Sequence, residues 1–179
     1  MFHQNRKFLM EKKLDREFFL KDVLGVAPGL LGKTLTRVYP DGRKEKYIIT
    51  ETEAYRGEED RACHASKGRT GRTEIMYQTG GHIYVYLIYG MYWMLNFVTG
   101  PENFPQAVLI RCIKGFDGPG KLTKQLAIDK SFNGENLNTS NRIYICEGLK
   151  NISFKTETRV GIGYAGEEWI NKPWRFKLI

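Results

Sequence analysis

TLTRVY (34–39), PDGR (40–43) and KEKYIITETEAY (44–55) read together as one β-hairpin. Both arms are rich in β-branched residues that alternate with polar ones, and Pro-Asp-Gly supplies turn chemistry between them. The second arm ends where the chain changes character. Residues 56–82, RGEEDRACHASKGRTGRTEIMYQTGGH, are charged, Gly-rich and longer than a plain connection needs. Beyond them HIYVYLIYG (82–90) and MYWMLNFVT (91–99) read as two strands joined at Tyr89-Gly90. AVLIRCI (107–113), RIYICE (142–147), TRVGIG (158–163) and RFKLI (175–179) read as further strands, and GKLTKQLAI (120–128) as a helix. Upstream, Leu14, Phe18, Phe19, Val23 and Leu24 recur at helical spacing, which predicts one helix from Leu14 to Gly25. Pro28 and Gly29 then open a second short turn that Gly32 closes. Residues 1–13 read as a flexible basic tail and 14–179 as a single domain. The expected fold class is mixed α/β (α+β), a mostly antiparallel curved sheet with flanking helices and a protruding β-hairpin.

The chain has 179 residues, with 41% hydrophobic and 27% charged, which excludes wholesale disorder. Lys plus Arg number 28 against 20 Asp plus Glu, a formal net charge of +8. A polyanion is the expected partner, with a basic enzyme for an anionic metabolite as the other reading. The three cysteines (Cys63, Cys112, Cys146) form no CxxC pair, so neither a disulfide framework nor a zinc ribbon is expected and a reducing compartment fits. MFHQNRKFLMEKK at the N-terminus has no apolar run of signal-peptide length. The most hydrophobic window, Tyr84 to Val98, is short of the ~20 residues of a spanning helix and contains Gly90 and Asn96. The expectation is a soluble, cytoplasmic chain, nucleoid-associated if bacterial, neither secreted nor membrane-bound.

Alternate side chains of a strand share a face, so Glu51, Glu53 and Tyr55 line one side of the long arm and Thr52 and Ala54 the other. Two carboxylates two positions apart are the solvated face of an edge strand, or a general base or metal ligand with pKa values split by repulsion. Parity gives Glu51 and Glu53 equal standing. His64 is the one histidine in the middle of the charged loop, a structural donor or a catalyst. Neither it nor Cys63 has a second ligand at metal spacing, so no metal is expected. Tyr84, Tyr86, Tyr89, Tyr92 and Trp93 crowd one hairpin as core or as a stacking surface. Tyr89 at the tip, with Lys67, Arg69 and Arg72 in the preceding loop, suits contact with bases and phosphates. GFDGPGKL (115–122) nearly matches a phosphate-binding loop, but Leu122 stands where magnesium needs Ser or Thr. That excludes an ATPase and leaves a helix cap or a phosphate contact, with Lys121 as the candidate cation.

Seven stretches together resemble the alkyladenine (3-methyladenine) DNA glycosylases of base-excision repair. They are LLGKTL (30–35), ETEAYRGEEDRACHA (51–65), GRTGRTEIMY (68–77), HIYVYLIYGMYWMLN (82–96), AVLIR (107–111), GPGKLTKQLAI (118–128) and TRVGIGYAGEEWINKPWRF (158–176). The resemblance implies a monofunctional hydrolase that flips alkylated or deaminated purines (3-methyladenine, 7-methylguanine, hypoxanthine) from duplex DNA and leaves an abasic site. It implies Glu53 as the residue that activates water, with Arg111 beside that water and the extruded phosphate. It further implies Tyr55, His64 and Tyr86 around the flipped base, with the His64 N–H donating to it. Asn96 would sit on the pocket wall discouraging guanine, and Tyr89 would wedge into the duplex. Arg69, Arg72 and Lys121 are the expected backbone contacts. No cofactor, no obligate protein partner and a monomer are expected. Gly71 stands where the family commonly has proline, Lys114 replaces an acid, and the link from Arg111 to Gly118 is short; these departures bear on lesion range. A non-catalytic module that recognises distorted DNA, and a metal-dependent nuclease using Glu51 and Glu53, are the competing readings.

Overall fold

The computed structural model describes residues 11–179. The hairpin forms where the sequence places it: β1 (Thr34–Val38) pairs antiparallel with β2 (Lys44–Arg56), Thr34 opposite Ile48 and Val38 opposite Lys44. The turn closes on Gly42 at φ 82°, a conformation that favours glycine. β2 then outruns its partner and becomes the central strand. Its first part pairs with β1, and residues 49–56 pair with β5 (Gln106–Ile113) on the other side. β9 (Arg175–Leu178) continues the edge that β1 vacates, Glu51 opposite Lys177 and Glu53 opposite Arg175.

Between Ile49 and Thr52 the β2–β5 register slips twice. The second slip takes the partner from Cys112 opposite Glu51 to Ile110 opposite Thr52, leaving Arg111 unpaired. A bulge of this kind bends a sheet and re-aims the extra side chain. The other strands are β3 (Ile83–Ile88), β4 (Tyr92–Val98), β6 (Phe116–Asp117), β7 (Ile143–Cys146) and β8 (Phe154–Glu157). Among the described residues the nine strands pair antiparallel throughout, in the order β3-β4-β5-β2-β1-β7, with β6 on β5 and β9-β8 on β2.

The predicted helix from Leu14 to Gly25 is two helices, α1 (Arg16–Phe19) and α2 (Val23–Gly29). Asp22 separates them: its carboxylate accepts the Leu24 N–H at 2.9 Å as the N-cap of α2. Pro28 lies inside α2 near its end; the short turn expected after it follows directly on the helix, with Leu31 N–H donating to Pro28 O at 3.1 Å and Gly32 at φ 75°. α3 (Pro119–Gln125) stops short of Ile128, because Ala127 takes φ 49°. TRVGIG forms no strand; a 3-10 turn at Gly163–Ala165 and α4 (Glu167–Ile170) follow it. The expected tail lies outside the described residues up to residue 10. Beyond it, Lys12 O accepts the Glu147 N–H and Lys13 bridges to Cys146.

Strand parity gives the sheet two chemically different faces. Ala54, Ile83, Val85, Leu95, Phe97, Val108 and Ile110 are buried with α1, α2 and α3 in one apolar core. Thr52 completes that face, donating its hydroxyl to Ala27 O in α2 at 2.8 Å. The opposite face carries the polar and aromatic residues. Cys63, Cys112 and Cys146 are free and buried. Among the described residues, no helix is long and apolar enough to cross a membrane.

Candidate active site

A cavity of about 350 Å³ opens on that second face. β2 contributes Tyr55, β3 Tyr84, Tyr86 and Ile88, β4 Met94 and Asn96, and β5 Leu109 and Arg111. Each set obeys period two, so the alternation that builds the core also collects the cavity wall. The charged loop closes one side with Ala62 and His64, and Val160, Ile162 and Tyr164 close another.

Glu53 lies beneath this cavity with no solvent exposure. β2 is central, which overturns the solvated edge-strand reading. Glu53 Oε2 accepts the Tyr55 hydroxyl at 2.7 Å, Oε1 accepts the Val160 N–H at 2.8 Å, and Arg111 Nη1 stands 3.4 Å from Oε1. Burial raises the Glu53 pKa above its ordinary value; Arg111, the Val160 N–H and the Tyr55 hydroxyl pull it back. Burial, not repulsion between carboxylates, is the leading cause. Glu51 binds Arg111 Nε at 2.9 Å. The Arg111 guanidinium thus fills the space between the carboxylates, where the nuclease reading would need a metal.

His64 begins a 3-10 turn at His64–Lys67, and its Nδ1 is 2.9 Å from the Tyr84 hydroxyl. Burial, then the Arg72 and Lys67 charges, lowers its pKa to about 4, so the imidazole is neutral at pH 7. Its ring meets the Tyr86 edge at 4.5 Å between centroids. Among the described residues, the His64 backbone N–H makes no hydrogen bond. Asn96 is buried and donates its amide to the Tyr84 and Met94 carbonyls at 3.1 and 3.2 Å.

Tyr89 is 84% exposed at the hairpin tip, on the cavity rim. Its φ is 51° and that of Gly90 is 67°, with Met91 N–H donating to Ile88 O. For a bulky side chain that conformation is strained, by an amount of order 1–3 kcal/mol. α3 buttresses the hairpin: a Cβ on Gly120 would lie 2.7 Å from the Tyr92 ring, so only glycine fits.

The three expected backbone contacts are dispersed. Arg69 is committed to Glu74 through two hydrogen bonds, 2.8 and 2.7 Å, and to Asn103 at 3.0 Å. Arg72 lies 5.3 Å from the Tyr86 ring centroid, beside the cavity. Lys121 is exposed on α3, next to Gly120 under the hairpin. Gly71 is exposed with open space around it, and Lys114 is exposed on a turn.

The loop from Thr158 to Tyr164 is the part that reasoning from periodicity missed. It supplies Val160 to Glu53, and the exposed Tyr164 reaches Ala62 O at 3.2 Å. Arg159 holds it in place, wholly buried in an ion pair with Asp60 at 2.6 and 2.9 Å and 4.8 Å from the Tyr55 ring centroid. Only the family resemblance of residues 158–176 marked this segment.

The sequence profile of the family described as methylpurine-DNA glycosylase matches residues 17–117 and 113–179. A protein from Methanocella arvoryzae, provisionally named a 3-methyladenine DNA glycosylase, is 43% identical over 91% of this chain and 90% of its own. Proteins with the same provisional name from Borreliella afzelii and Rickettsia felis are each 46% identical. They cover 92% and 91% of this chain and 95% and 91% of their own lengths.

Proposed function

The chain belongs to the methylpurine-DNA glycosylase family, and on that premise we propose that it excises alkylated or deaminated purines from duplex DNA by hydrolysis. The observation that carries this reading is a buried carboxylate under an aromatic cavity with an exposed tyrosine on its rim. A module that only binds DNA gains nothing from burying Glu53, and burying a charge is unfavourable.

An enzyme that acts on a base in a duplex must first take it out of the stack, at a few kcal/mol. Tyr89 stands where an inserted ring offsets part of that penalty. The cavity is of the size of small-ligand sites. Tyr55 and Tyr86 offer π faces that favour the positive charge of an alkylated purine, and the free His64 N–H offers a neutral base its hydrogen bond. Water oxygen attacks C1′ of the sugar as the bond from C1′ to the base nitrogen breaks, its electron pair leaving with the base. Glu53 takes the water proton and stabilises the cationic sugar in the transition state. Its raised pKa makes it a stronger base than an exposed glutamate. On this reading the attacking water sits on the cavity side of Tyr55, Arg111 and Val160, which line the cavity and each contact the Glu53 carboxylate. The products are an abasic sugar and the base, which leaves neutral from a cationic alkylated purine and, from a neutral purine, as an anion that then takes up a proton, restoring the balance with the one held by Glu53.

The test is base release from a duplex with one hypoxanthine and from another with one 7-methylguanine, chelator present throughout. Free base, with strand scission only after alkali, is the expected result. Intact DNA from both, with salt-dependent binding indifferent to the lesion, would give the silent binding module instead.

A further inference from the structure

Glu51 is the second buried carboxylate of the site, and no step above uses it. It is 5% exposed, and both its oxygens are committed. Oε1 accepts from Arg111 Nε at 2.9 Å and from Arg175 Nη1 at 3.1 Å. Oε2 accepts the Cys112 thiol at 3.6 Å and faces Lys177 Nζ at 3.8 Å. A guanidinium is a rigid planar fork, so holding Nε fixes where the other nitrogens point. The bulge at Arg111 sets its stem apart from the strand ladder, and Glu51 supplies the missing constraint at the far end. Nη1 then lies 3.4 Å from Glu53. The same carboxylate grips Arg175, whose Nε donates to Thr158 O at 2.7 Å, two residues before the Val160 N–H that Glu53 accepts. Two of the three partners of Glu53 therefore trace back to Glu51.

We propose that Glu51 is a positioning residue for hydrolysis: it holds the Arg111 guanidinium against Glu53 and so keeps that carboxylate ionised. The proposal rests on the glycosylase reading of Glu53. The titratable and charged groups around Glu53 are Glu51 and Tyr55 on its own strand, Arg111 from β5, Arg175 from β9, Arg159 and Tyr164 from the loop after β8, and Tyr86 from β3.

The direction of the pH effect separates this role from a plain charge effect. Glu53 accepts a proton only when ionised, so the rate climbs with pH through its pKa. If Glu51 acts by holding Arg111, its loss weakens the Arg111–Glu53 attraction, and the acid limb moves to higher pH. If Glu51 were only a neighbouring negative charge, its loss would ease ionisation of Glu53, and the limb would move lower. The experiment is single-turnover release of hypoxanthine across the acid range by wild type, Glu51→Gln and Glu51→Asp, with duplex affinity and melting recorded on each. Both variants are expected to be roughly ten- to a hundredfold slower at neutral pH, with the acid limb moved up and affinity kept. In an Arg111→Gln background, Glu51→Gln should add little, because the two act as one unit. Glu51→Asp retains the charge and shortens the reach, so it carries the test if the amide variant does not fold. A limb that stays or moves down, or losses that simply add, overturns the proposal alone. A wild type that releases no base overturns it together with the glycosylase reading.

Discussion

Glu53→Gln is expected to lose roughly two to four orders of magnitude in base release while binding a damaged duplex as wild type does. The amide has the size of the carboxylate and fits the same partners. Its oxygen can accept the Val160 N–H that Oε1 now takes at 2.8 Å. Its nitrogen can donate to the Tyr55 oxygen, since a hydroxyl accepts as well as donates. What the amide cannot do is take a proton from water. Burial raises the Glu53 pKa, so at neutral pH the ionised group is less at ease folded than unfolded, and a neutral replacement should melt no lower than wild type. Single-turnover release beside a melting curve checks both halves. Release within tenfold of wild type would remove Glu53 from the chemistry.

Asp60→Ala is expected to be the largest loss of stability at any one position of the site, roughly 3–5 kcal/mol. Asp60 has no solvent exposure and accepts four hydrogen bonds: two from Arg159, one from Arg56 N–H at 3.1 Å and one from Ala62 N–H at 3.0 Å. Alanine leaves those donors unpaired and the Arg159 guanidinium buried without its counter-ion. For a chain of this length, the melting temperature should fall by roughly 10 °C. The loss would also loosen the loop that carries Val160 to Glu53, so base release should fall in the folded fraction as well. A melting temperature within ~2 °C of wild type would show that the pair contributes little.

The hairpin from Thr34 to Arg56 and the shared face of Glu53 and Tyr55 could be read from sequence because both follow from local rules. Turn chemistry at Pro40-Asp41-Gly42 and period-two alternation need no knowledge of the rest of the chain. The tyrosines of β3 were legible for the same reason. Asp22 carried a readable N-cap signal, but the regular spacing from Leu14 to Leu24 masked the break that it makes. Asp60 and Arg159 had no local signal at all. One stood in a run of charges and the other in a stretch that alternates like a strand; their burial depends on finding each other across 99 residues. The choice between Glu51 and Glu53 was likewise beyond parity, which puts both carboxylates on one face; only the family resemblance favoured Glu53.

The buried cysteines have a consequence for how such a protein survives its own working conditions. Electrophiles that alkylate purines also alkylate thiolates, which are the better nucleophiles. Burial pushes the Cys63 thiol up to about 12 and the Cys112 thiol to about 11, and raises that of Cys146. At neutral pH all three stay protonated and sheltered. A thiol reagent should therefore label none of them in the folded chain and all three once it is unfolded; prompt labelling of the native protein would remove the protection. The fold thus keeps the repair protein from becoming a target of the agents whose damage it answers.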